Sequence, residues 1–296
     1  MSLLVLLSSM TMVVYPKNNV PPTLRKWMKG ENINWTKAES RTGGEKGADW
    51  RDKFSSLEER VDAQTADMVW AKINTAKAAF HQENLWILTS GNDSLVAAMI
   101  DVEWAFDGMF VMYFVPAPGG RTLRSLASSG FDASKMSNAY NNTVGKKMEA
   151  LLQVGGIEFD PRSESVRFAN AIKKWTVYNT VGWNESDSLT EECPEKYFKH
   201  TGRNHQRADV RTEWVKVQNS IMDFREATKW VREKNNAKMN KALDEFEVSL
   251  MNYFRKYVRE IHAVGMNVTV YSEIMPMAVD VLCMEYVSAI KTDKNR

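Results

Sequence analysis

Between Arg203 and Val264 the chain contains neither glycine nor proline, and its apolar residues fall alternately three and four positions apart. Val210, Trp214, Val217, Ile221, Phe224 and Val231 form one such series. Met239, Leu243, Phe246, Leu250, Tyr253, Tyr257 and Ile261 form the next, and the phase weakens at Asn235-Asn236. This spacing places each series on one side of a helix, so the pattern predicts two long amphipathic helices with a break between them.

Similar periodicity runs from Trp50 to Phe80, with Leu57, Val61, Met68, Ile73 and Ala76 as inward positions, and predicts two consecutive helices. Leu85–Thr89 and Met109–Val115 are short apolar runs bounded by turn-forming residues, and they are the two strand candidates. Between them Asp93 or Ser94 is placed to cap a helix over Leu95–Phe106. Further helices are predicted over Ser134–Val154 and Glu164–Val181, jointed by Gly155-Gly156 and Pro161, and over Val279–Ile290 after Pro276. Pro116-Ala117-Pro118-Gly119-Gly120 is the strongest internal punctuation.

The expected fold class is mainly α, a helical body in two subdomains with at most a small β element. An N-terminal arm or linker covers residues 1–48, where Pro16, Pro21, Pro22, Gly43 and Gly44 resist regular structure. The subdomains are 49–118, with the short strands, and 119–290, and a polar tail covers 291–296. No fixed-period repeat is present, so a solenoid is not supported.

Composition changes this picture little. At 296 residues, 44% apolar and 26% charged, the chain can bury a substantial core. The net charge of +2 conceals an uneven distribution: residues 61–120 carry two basic and seven acidic side chains, and the stretches on either side are net basic. That arrangement allows contact between copies or a local groove for a polyanion. Cys193 and Cys283 are the only cysteines, which favours a reducing compartment, so a cytoplasmic location is expected rather than secretion. Five sequons, at Asn34, Asn92, Asn141, Asn184 and Asn267, point weakly the other way. Leu3–Val14 is apolar but lacks preceding basic residues and is too short to span a membrane; it reads as a packing arm. Seventeen Met and ten Trp suit a core and adaptable contact surfaces.

The chemistry-bearing candidates concentrate between Tyr197 and Lys238, where cations interleave with aromatics. Single-stranded nucleic acid needs that mixture, because cations track phosphates while aromatic faces stack on splayed bases. The candidate nucleic-acid-binding residues are Arg121, Arg124, Lys173, Lys174, Tyr197, Phe198, Arg203, Arg207 and Arg211. Against this, Arg207, Arg211 and Arg225 alternate with Asp209, Glu213, Asp223 and Glu226, a pattern common on solvated, salt-bridged helices. Trp214 falls on the apolar stripe and reads as core. Cys193, His200 and His205 form only a fragment of a zinc site, and Gly43–Gly47 lacks the strand and the Lys-Ser/Thr ending of a phosphate loop. Asp101, Glu103 and Asp107 read as surface charges. No metal, cofactor or catalytic constellation emerges, so no enzyme is expected.

An N-terminal arm, a two-part helical body, central cations and a loose tail resemble nucleocapsid and viral coat proteins, in architecture alone. The resemblance implies a self-associating, RNA-packaging virion protein, a homo-oligomer with single-stranded RNA as partner and residues 3–14 reaching a neighbouring copy. The alternative is a structural or interaction module that binds a protein partner through the helices of Val210–Ile261.

Overall fold

The computed structural model describes residues 20–36, 50–58, 61–114, 130–154, 157, 159–183, 208–260 and 266–294. Among them there are helices and no strands, as the mainly α expectation requires. The expectations for Leu3–Val14, Gly43–Gly47, Pro116–Gly120, Gly155-Gly156 and the tail residues 295–296 fall outside the described residues.

Helix α1 spans Ala63–Leu88 and α2 spans Asp93–Phe114. The Asp62 carboxylate caps α1 by accepting from Thr65 N at 2.8 Å, satisfying one of the amides a helix start leaves open. At the turn between the two helices, Gly91 takes the left-handed φ of 72°. Asn92, rather than Asp93 or Ser94, caps α2 by accepting from Leu95 N at 3.1 Å.

Both strand candidates are helical. Leu85–Leu88 forms the last turn of α1 beyond a kink at Asn84 (φ −112°), and Met109–Phe114 completes α2. A short apolar run fits a strand or a buried helix end equally well, and here the neighbours decide. Leu95, Met99, Val102, Phe106, Met109 and Tyr113 are buried at alternating spacings of four and three, so the core-facing stripe runs unbroken into the supposed strand. Gly108 does not interrupt it, because its missing side chain faces open space. Met68, expected to face inward, is exposed, while Ala66, Val69, Trp70 and Ile73 carry the buried face.

Residues 20–36 lie within the stretch assigned to the arm, and they fold onto the body in short helical turns. Pro22 occupies the first position of the turn Pro22–Arg25, where its missing N–H costs nothing. Leu24, Trp27 and Trp35 are buried, and Trp27 meets Phe80 edge-on at 5.5 Å. The Leu24–Trp27 spacing is helical, a signal masked by the surrounding prolines. Gly30 is required by close approach: a Cβ there would stand 2.7 Å from the Ser137 carbonyl.

Helices α3 (Ala133–Asn142) and α4 (Val144–Gln153) divide the single helix expected over 134–154, and both pack on α2. Helix α5 (Glu164–Ile172) leads into tight turns at Lys173–Thr176 and Tyr178–Thr180. Trp175 anchors the first turn: it is fully buried, donates from Nε1 to Ser220 Oγ at 2.9 Å, and its carbonyl accepts from the Tyr271 hydroxyl at 2.8 Å.

The two long helices predicted from the pattern are α6 (Ala208–Arg232) and α7 (Ala237–Glu260). They break at Asn235, which adopts φ 54°, and Asn236 caps α7 by accepting from Met239 N at 3.0 Å. Every member of the two apolar series from Val210 to Tyr253 is buried, Trp214 included; Tyr257 is half-buried. Helix α8 (Met266–Lys294) pairs with α7. It carries Pro276 inside it instead of starting after it, and runs on to Lys294, into the stretch assigned to the tail. Proline removes one backbone bond, but burial of Tyr271, Met275, Val279, Leu282 and Tyr286 holds the turns on both sides.

Candidate functional site

Of the nine residues proposed to meet nucleic acid, Lys173, Lys174 and Arg211 lie in the described part; Arg121, Arg124, Tyr197, Phe198, Arg203 and Arg207 lie outside it, as do Cys193, His200 and His205. Arg211 is exposed near the start of α6. Lys173 is exposed and donates to Asn170 Oδ1 at 3.2 Å; it stands at the lip of a hollow of about 310 Å³ shared with Trp86 and half-buried Phe159. Lys174 turns away toward α6, pairing with Asp223 at 3.2 Å and lying over the Trp175 ring at 4.4 Å.

Four other cations of the basic region are structural ties. Arg225 reaches Glu247 with two nitrogens, at 3.1 and 2.7 Å, and Arg232 joins the same carboxylate at 2.8 Å and Asp244 at 2.8 Å, stitching α6 to α7. Lys234 pairs with Glu164 on α5 at 2.5 Å, and Lys238 pairs with Glu285 on α8 at 3.1 Å. Glu213, expected on a solvated face, is buried and accepts from the Tyr253 hydroxyl at 2.5 Å. Burial first, then the neighbouring Glu213 charge, raises the Tyr253 phenol far above its ordinary range.

A second constellation is assembled from three helices. His81 on α1 lies between Glu103 on α2 and Asp280 on α8. Its Nδ1 is 2.6 Å from Glu103 Oε1, a hydrogen bond. Asp280 Oδ1 approaches Nε2 to 3.0 Å off the ring N–H line, a charge contact rather than an aligned bond. Burial pulls the imidazolium down, but Asp280 and Glu103 together outweigh it and lift the pKa to about 10, so His81 is charged at neutral pH. The trio forms the floor of a cleft of about 910 Å³ between α2 and α8. Among the described residues no group of three His, Cys, Asp or Glu side chains could hold a metal ion.

Sequence reasoning missed this trio. From the sequence Glu103 reads as a surface charge like Asp101 and Asp107; Asp101 is indeed exposed, pairing with Lys147 at 2.8 Å, and Asp107 bridges Lys53 and Lys77 at 3.0 Å each. The Glu103 side chain is only 19% exposed. The available signal was His81 on the same helix face as Leu85 and Leu88, four and seven residues on.

No protein-family model, curated protein or solved structure matches the chain.

Both helices that wall the cleft carry exposed apolar side chains, of which Met284 lines it. Trp104 on α2 is 69% exposed, and Met277 and Met284 on α8 are 65% and 60% exposed. Among the described residues no helix is long and apolar enough to cross a membrane. Cys283, behind the cleft wall, is a buried free thiol whose pKa burial drives upward.

Proposed function

We propose that this chain is a self-associating protein that binds single-stranded RNA, of nucleocapsid or viral coat-protein type, using a run of basic and aromatic residues that ends at Arg211. The observation that carries the reading is the contrast between Arg211 and the described cations that pair with carboxylates. Lys174, Arg225, Arg232, Lys234 and Lys238 are each held by a carboxylate. Arg211 is exposed at the end of a run from Lys196 to Arg211 that holds five Lys/Arg and two His against the single carboxylate of Asp209. Phosphate contacts are therefore assigned to Arg203, Arg207 and Arg211, supported by Arg121, Arg124 and Lys173, with Tyr197 and Phe198 stacking. Lys174 moves to a positioning role, bracing the Trp175 turn.

The test is a salt titration of nuclease-treated protein against a labelled generic single-stranded RNA. Charge reversal at Arg203, Arg207 and Arg211 together should lower affinity by about tenfold or more and flatten the log–log salt slope, since each lost phosphate contact removes roughly 0.7 from it. Reversal of Lys234 and Lys238 should leave that slope in place. Affinity unaltered by the triple change would defeat the assignment.

A second reading, a module that binds a protein partner, is favoured by the exposed Trp104, Met277 and Met284. It cannot use the apolar faces of α6 and α7, which are buried within the chain. Weak RNA binding even at low salt would leave this reading in force.

A further inference from the structure

We propose that the cleft between α2 and α8 binds an organic ammonium ion, a small molecule with an apolar body and a protonated amine head. This goes beyond RNA binding and involves none of the residues assigned to it. The cleft volume of about 910 Å³ lies within the range of small-molecule sites. Its walls are Val96 and Ile100 from α2, Met284 and Val287 from α8, and Leu88 from the end of α1. Such walls favour an apolar body.

The head is selected by charge. Five charged side chains line the cleft: His81 from α1, Asp93 and Glu103 from α2, and Asp280 and Lys291 from α8. Asp93 and Lys291 stand 3.5 Å apart at one end and offset each other. On the floor a single imidazolium serves two carboxylates, so one negative charge is left uncompensated. His81 contacts one oxygen of each carboxylate, and the second oxygens, Glu103 Oε2 and Asp280 Oδ2, retain acceptor capacity that an ammonium donor can fill. Asp280, 38% exposed, is the carboxylate reachable from the open side. An anion would meet repulsion on this floor, and a neutral apolar molecule would leave the charge unanswered beside its own body.

The experiment is calorimetric titration of the full chain at neutral pH with 2-phenylethylamine, 2-phenylethanol and 3-phenylpropionate, three probes of one shape and different charge. Saturable binding of the amine is expected, with the alcohol and the acid weaker by about tenfold or more, the effect of one charge-assisted hydrogen bond. Asp280→Asn should bring the amine to the level of the alcohol while circular dichroism stays unchanged. Met284→Lys, at an already exposed position, should compete with the ligand from the cleft wall and weaken the amine similarly. Equal affinity for all three probes, no saturable amine binding, or amine affinity unchanged in both variants would overturn the proposal. RNA affinity should be the same in Asp280→Asn as in the parent protein, so failure here is separable from failure of the RNA reading.

Discussion

The surface joining α6 to α7 and the cleft between α2 and α8 use charge in opposite ways. On the first, cations and carboxylates lie close in sequence and pair across neighbouring helices, as Arg225 and Arg232 do on Glu247. In the second, His81 and Glu103 on consecutive helices are joined by Asp280 from far along the chain, and the three share a partly buried floor with one charge too many. The described cations of the region richest in sequence signal are thus largely committed to holding helices together, whereas the region with the more unusual electrostatics leaves little trace in the sequence. Local density of charged residues measures how readily they can pair with one another. An imbalance that a ligand can answer requires residues whose compensation is limited by packing.

Both regions depend on the same core, and the largest test removes what lies between them. Trp175→Ala should destabilise the protein by about 3–5 kcal/mol, since it empties a fully buried site and orphans the Ser220 hydroxyl. Urea unfolding followed by circular dichroism measures this, and a loss below about 1 kcal/mol would show that α6 and α8 do not rely on that turn.

Within the cleft, His81→Gln should cost about 2 kcal/mol near pH 6 by leaving two carboxylates facing each other without a cation. The folded pKa of about 10 lies above the ordinary 6.5, so the charged imidazole's contribution is complete below about pH 6.5 and disappears as pH rises through 10. Stability curves of parent and variant should therefore converge between pH 6.5 and 10. A gap that stays constant over that window would mean that the trio's contribution is steric rather than ionic.

On the α6–α7 surface, Glu247→Gln should cost about 1 kcal/mol, because two arginines lose a shared, mostly buried anion. Lys238→Ala should change stability by less than about 0.5 kcal/mol, as its pair with Glu285 is solvent-exposed. If the two variants cost the same in thermal melts, the distinction between a stitched interface and solvated pairs on this surface is lost.

Much of the fold was legible in the sequence where periodicity was long. The two series from Val210 to Tyr253 mark α6 and α7 and their buried faces, and Asn235-Asn236 marks the break, because eleven side chains in phase leave one way to bury them. Legibility failed where runs were short or context was masked: Leu85–Thr89 and Met109–Val115 resembled strands, and Leu24, Trp27 and Trp35 were hidden among prolines and polar residues. The candidate RNA contacts followed from local charge pattern. Lys174 shows the weakness of that route, since whether a lysine meets solvent or an aspartate 49 residues away is not a local property.

The sequence by itself determined that this protein is helical, where its longest helices lie and which of their faces are buried, since those follow from side-chain periodicity within a single element. Only the tertiary structure decided which cations are committed to carboxylates, that Pro276 sits inside a helix, and that His81 meets Glu103 and Asp280 under an apolar cleft. Electrostatic compensation and cavity shape are relations between elements. They are set by which helices pack side by side, and no spacing along one helix encodes that choice.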